Sequence, residues 1–127
     1  PNANNTRKLG TDTSRWSDVY GVDGDFSGSV TTGGFKTAIG GTLSTSITLT
    51  TSDHTILCDC QLNNISVNLP TAVAGLRYEI KKIDSTSNAV TIDGFGSETI
   101  DGGLTAVINN QYESVTIVSD GTSWWIV

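Results

Sequence analysis

From residue 45 onward, apolar and polar side chains alternate in short runs punctuated by Asn, Asp and Gly, a period that β-strands satisfy and helices do not. In the run Asp53 to Leu62, the even positions are His54, Ile56, Cys58, Cys60 and Leu62 and the odd ones are mostly polar, so the run reads as one half-buried strand. The alternation recurs at Ile47/Leu49, at Ile65/Val67/Leu69 up to Pro70, at Leu76/Tyr78/Ile80 and at Val90/Ile92. It continues at Leu104/Ala106/Ile108, at Val115/Ile117 and at Trp124/Ile126 against Trp125/Val127. Turn signals separate these runs at Asn63-Asn64, Asp84 to Asn88, Asp93-Gly94, Asp101 to Gly103, Asn109-Asn110 and Asp120-Gly121. Composition agrees, since 19 Thr, 11 Ile and 10 Val carry the branched Cβ that suits a pleated sheet. The expected fold is all-β, with about eight short strands closing a small antiparallel β-sandwich or barrel over residues 45–127. The one helical candidate, Thr71 to Gly75, is too short and follows a proline. A small repeat, Thr91-Ile-Asp-Gly94 and Thr99-Ile-Asp-Gly102, reads as two successive strand ends rather than as a solenoid.

A chain of 127 residues supports one modest core. Its net charge of -6 falls entirely in residues 45–127, where Arg77, Lys81 and Lys82 face nine acids, while residues 1–44 balance four bases against four acids. Nucleic acid is not expected as a partner, because phosphate binding needs clustered Lys and Arg. No apolar run approaches the roughly 20 residues a membrane crossing requires, so no membrane insertion is expected. Residues 1–10 have no apolar core of the signal-peptide kind, and Pro1 suggests a soluble piece of something longer. The two cysteines, Cys58 and Cys60, stand at i and i+2 on one strand, about 6.6 Å apart, which is poor geometry for a disulfide. Both are expected to be reduced.

Residues 1–44 are polar and glycine-rich, with isolated large side chains at Leu9, Trp16, Val19, Tyr20, Phe26, Val30 and Phe35. So few apolar groups cannot enclose a core. The segment is either a disordered linker or one whose apolar residues are buried against other chains, and Trp16, Tyr20 and Phe26 weigh against a spacer.

The segment Leu9-Gly10-Thr-Asp-Thr-Ser-Arg15-Trp16-Ser-Asp-Val19-Tyr20-Gly21, followed by Gly24-Asp-Phe26-Ser-Gly28, resembles an element of phage tail-fibre proteins and of the bacterial fibres derived from them. Leu69-Pro70, Tyr78 to Lys82, Asn88 to Gly94, Thr99 to Gly102, Ser114 to Gly121 and Trp124 resemble a β-domain found at the C-terminus of such proteins. The resemblance implies a homotrimer, extracellular, on a virion tail fibre or on a surface or secreted fibre of a bacterium. Residues 1–44 would form an interwoven trimeric β shaft through Leu9, Trp16, Val19, Tyr20 and Phe26, and residues 45–127 a distal tip. A three-fold axis would bury those aromatics and leave no free sheet edge in the shaft.

Catalysis would need a nucleophile with a base, or two carboxylates about 5 to 9 Å apart in a cleft. The only histidine, His54, lies on the apolar face, and Asp53 points to the opposite one. Asp84, Asp93, Glu98, Asp101, Glu113 and Asp120 mostly fall in turns, where such groups cap the backbone. His54 and Cys58 would stand about 13 Å apart, too far for one zinc, and Asp93 to Asp101 lacks the acidic spacing of calcium loops. No enzyme activity, metal or cofactor is expected. Binding remains. Phe95, flanked by Gly94 and Gly96 in a turn, is the best exposed aromatic for a sugar to stack on. Trp124 reads as core, which sends Trp125 to the surface or to a subunit interface, and Tyr112, Asn109 and Asn110 are further candidates. The expected function is a trimeric adhesin that docks a bacterial cell-surface receptor, with a glycan as the expected kind, without covalent chemistry. The alternatives are a purely structural trimerisation or capping module and a fibre-borne depolymerase.

Overall fold

The computed structural model describes residues 39–127, so Leu9, Trp16, Val19, Tyr20 and Phe26, and with them the shaft expectation, lie outside the described residues. The chain here is all-β. Its strands are β1 (Ile39–Leu43), β2 (Ile47–Thr48), β3 (Thr55–Cys58), β4 (Ile65–Asn68), β5 (Arg77–Lys82), β6 (Val90–Asp93), β7 (Thr105–Ile108), β8 (Ser114–Ser119) and β9 (Trp124–Ile126). They form a five-stranded sheet in the order β1-β3-β5-β8-β9 and a four-stranded sheet in the order β2-β4-β6-β7.

The antiparallel expectation requires correction, because both sheets are mixed. β1, β3 and β5 run parallel, as do β2, β4 and β6, while β7, β8 and β9 pair antiparallel. The reason lies in the connections. Each of the first five strands is followed by one in the other sheet, so the chain winds as a flattened coil and each return to a sheet restores the same direction. Only the β6–β7 and β8–β9 links stay within one sheet. A short solenoid therefore exists after all, although the Thr-Ile-Asp-Gly repeat does not mark it. The first copy ends β6, but the second forms a turn in which Ile100 and Gly103 bond each other across Asp101 (φ 49°) and Gly102 (φ 86°).

Alternation places the core between the sheets. Ile56, Cys58, Tyr78, Ile80, Ile117 and Trp124 come from the five-stranded sheet and Ile65, Val67, Val90, Ile92 and Ile108 from the other, all buried. The run expected to continue to Leu62 stops early: β3 ends at Cys58, Cys60 stays buried in the following turn, and Leu62 is exposed. Leu104 and Ile126, expected on apolar faces, are also exposed. Leu104 stands just ahead of β7, and Ile126 lies on an edge strand. β1 belongs to residues 1–44 by number, yet it is hydrogen-bonded to β3 as the other edge of the same sheet.

The winding gives the sandwich two ends. One carries connections 44–46, 59–64, 83–89 and 109–113, and the other 49–54, 69–76, 94–104 and 120–123. At the second end, Glu98 accepts both the Ala72 N–H (3.0 and 3.1 Å) and the Trp124 indole N–H (3.0 Å), tying two connections to the core. Gly94 is needed in that region because an added Cβ would collide with the Glu98 carbonyl.

Candidate functional site

The five candidate binding residues fall into two groups. Phe95 (55% exposed) and Trp125 (46%) lie at or near the second end, whereas Asn109, Asn110 and Tyr112 (64% exposed for Tyr112) form the 109–113 connection at the first. β8 runs between the two ends, six residues or about 17 Å of strand, so the five do not form one compact site.

Each group is held rigidly. The Trp125 indole N–H donates to Asp120 Oδ2 (2.8 Å), and Asp120 Oδ1 accepts the N–H groups of Thr122 and Ser123 (2.8 Å each). The Ser123 N–H, then the indole and the Thr122 N–H hold the Asp120 carboxyl below its ordinary value. At the other end, Glu113 Oε2 accepts the N–H groups of Asn110 and Asn109 (3.0 and 3.1 Å), which hold its carboxyl down likewise. Tyr112 sits at φ 64°, an outlier for a bulky residue, and is fixed there by its N–H on Lys82 O (2.8 Å) and by Lys81 Nζ on its own carbonyl (2.9 Å). Lys81 Nζ also stands 6.0 Å from the Tyr112 ring centre. Phe95 occupies a turn closed by the Glu98 N–H on its carbonyl (3.0 Å).

Register connects the two groups. Along β5 the buried residues are Tyr78, Ile80 and Lys82, so Arg77, Glu79 and Lys81 face outward. Arg77 pairs with Val118, which pairs with Trp125, and directly paired residues share a face. The outer face of the five-stranded sheet therefore carries Trp125 and Arg77 toward one end and Lys81 beside Tyr112 at the other.

Sequence reasoning did not find the most polar element of the interior. Lys82 Nζ, fully buried, donates to Asp84 Oδ1 (2.7 Å), Asp84 O (2.8 Å) and Thr86 O (3.1 Å). Asp84 further accepts the Thr86 N–H (2.9 Å), the Thr86 hydroxyl (2.5 Å) and the Cys60 N–H (2.7 Å). Burial by itself raises the Asp84 pKa, but the bonds from Lys82, Thr86 and Cys60 outweigh it and hold the carboxyl well below the carboxylate range. The signal was present, since Lys82 continues the inward positions of Tyr78 and Ile80.

Both thiols are free and fully buried. Burial, then Cys60 and Asp84, push the Cys58 thiol up to about 12, and burial followed by Asp84 raises Cys60. Reaction proceeds through the thiolate. Ellman's reagent at pH 8 should therefore leave both thiols of the native chain unmodified over an hour and titrate them within minutes in denaturant. Fast labelling of the folded chain would contradict their burial.

The remaining reactive groups are engaged structurally. His54 Nδ1 lies 3.2 Å from Thr55 Oγ1, while Asp53 Oδ2 accepts the Thr50 N–H (2.7 Å). Among the described residues, no three His, Cys, Asp or Glu side chains gather as a metal site. Comparison with family models returned no match, and comparison with curated proteins returned none either. What the geometry offers is an open face with anchored aromatic side chains at its margins.

Proposed function

We propose that the chain is the distal part of a homotrimeric fibre of the phage tail-fibre type, an extracellular adhesin that docks a bacterial surface glycan without covalent chemistry. The N-terminal segment, with Leu9, Trp16, Val19, Tyr20 and Phe26, would supply the contacts between chains, and the β-sandwich the contacts with the receptor. The observation that carries the reading is Trp125, an indole left 46% exposed yet fixed by Asp120. A ring anchored before binding loses little side-chain freedom when a sugar stacks on it, which is what a shallow receptor contact requires. Three tips on one shaft then multiply a weak single-site affinity through effective concentration.

Sedimentation of the chain at low micromolar concentration, followed by adsorption to bacterial cells and a glycan array, tests both parts. A mass near three times 13.4 kDa with glycan binding is expected. A monomer would overturn the trimer. A trimer that adsorbs to neither cells nor glycans would overturn the adhesin and leave a structural cap.

A further inference from the structure

Three cations occur in the described residues, and Lys82 is consumed inside by Asp84. The other two, Arg77 and Lys81, lie on the same outward face of β5 in a unit that is otherwise strongly acidic. Each shares that face with an anchored aromatic. Arg77 is separated from Trp125 by one strand, about 9.6 Å between backbones on the same face, a span that a ligand seated on both residues would bridge. Lys81 lies over the Tyr112 ring and spends one of its three protons on the Tyr112 carbonyl. The Arg77 guanidinium has no hydrogen-bonding or ionic partner among the described residues. Four residues of strand, about 13 Å, set the two pairs apart, and Glu79 projects from the same face midway between them.

We infer that this face binds a polysaccharide in which carboxylated sugars are separated by uncharged ones, with Trp125/Arg77 and Tyr112/Lys81 as two stations that each stack one sugar and pair one carboxylate. The inference rests on the adhesin reading above and names the ligand of that face. Asp120, the acid at the Trp125 station, is already engaged by the indole and by the Thr122 and Ser123 N–H groups, which leaves the Arg77 guanidinium to meet a ligand's charge there, and its planar fork matches a carboxylate in particular. Glu79 repels a charge placed between the stations, so a chain acidic at every residue is disfavoured by the same face that accepts a spaced one. An open strand surface about 13 Å long suits a polymer of several sugars better than a single one.

The test uses the 127-residue chain and three probes: a hyaluronan octasaccharide, in which glucuronate alternates with N-acetylglucosamine, its methyl ester, and hexagalacturonate, acidic at every residue. Affinities are read by calorimetry, and the Trp125 indole N–H resonance reports the location. The hyaluronan acid should bind about fivefold more tightly than its ester, the scale of an exposed arginine–carboxylate pair, and more tightly than hexagalacturonate. Arg77→Gln should lower that preference at unchanged melting temperature, leaving the share that Lys81 contributes. Trp125→Leu should weaken binding about tenfold, and Trp125→Phe, which keeps a ring face, should recover part of the loss. Equal affinity for acid and ester, with Trp125→Leu still harmful, would overturn the carboxylate inference and leave the adhesin standing. A preference for hexagalacturonate would overturn the spacing. Binding indifferent to Trp125 and Tyr112 would overturn the face, as would failure of all three probes with a chain that adsorbs to cells. Failure of the probes, cells and array together would overturn the adhesin reading itself.

Discussion

Replacing Lys82 by Met should cost about 3 kcal/mol of folding stability, because it strands an ionised carboxylate in the interior. Lys82 and Asp84 side chains are 0% and 1% exposed, and all three ammonium protons are used. The cost is placed at the lower end of the range for broken buried pairs because the cluster closes one end of the sandwich, where water can enter once the lysine is gone. Removing the other partner should cost more. Asp84→Leu leaves a buried ammonium and also orphans the Cys60 and Thr86 N–H groups that Asp84 accepts at 2.7 and 2.9 Å. The double variant should therefore be destabilised by less than the two single losses combined, yet not return to the parent, as buried pairs without such backbone duties often do. Urea denaturation of the four proteins decides it. A Lys82→Met loss below about 1 kcal/mol would mean that the pair is effectively solvated.

The same cluster sets an acid limit. The native Asp84 pKa lies below its ordinary value of 3.8, so the native state releases this proton more readily than the unfolded chain does. Its stabilisation is complete above the ordinary value and decays as pH falls below it toward the depressed native one. Denaturation midpoints should be flat from pH 7 to about 5 as far as this group is concerned and should fall below 4. Lys82→Met should blunt that acid sensitivity.

The pattern of alternation was enough to locate the core, because a strand facing one packed interior must place its apolar groups at every second residue. Ile56, Val67, Tyr78, Ile92, Ile117 and Trp124 are all inside for that reason. Strand direction was not legible, since parallel and antiparallel strands with one wet face alternate identically. Connections 59–64 and 83–89 carry the Asn, Asp and Ser of hairpins but cross between sheets. The coil was equally hidden, because Leu43, Cys58 and Lys82 stand in register at unequal intervals and no period survives in the sequence. Trp125 and Tyr112 could be singled out one by one. Their relation to Arg77 and Lys81 could not, because it depends on the pairing of Arg77 with Val118 and of Val118 with Trp125.

Trp124→Ala should remove about 4 kcal/mol, enough to unfold a large share of so small a domain at ambient temperature. Its ring is fully buried, 5.7 Å from that of Tyr78 at a tilt of 36°, and truncation opens a cavity lined by residues of a core too thin to collapse around it. A second loss adds to the cavity. Glu98 would keep only the Ala72 N–H after losing the indole, and the two connections it joins, 69–76 and 94–104, would loosen together. Trp124→Phe separates the two contributions, because it fills much of the space but cannot donate to Glu98. If packing dominates, Phe should restore most of the stability lost in Ala, as measured by urea denaturation. If the Glu98 bond dominates, Phe should behave like Ala, and amide exchange at Ala72 should accelerate in both variants. A loss under about 2 kcal/mol for Trp124→Ala would contradict both and would mean that the core is held mainly by the winding of β1 to β6.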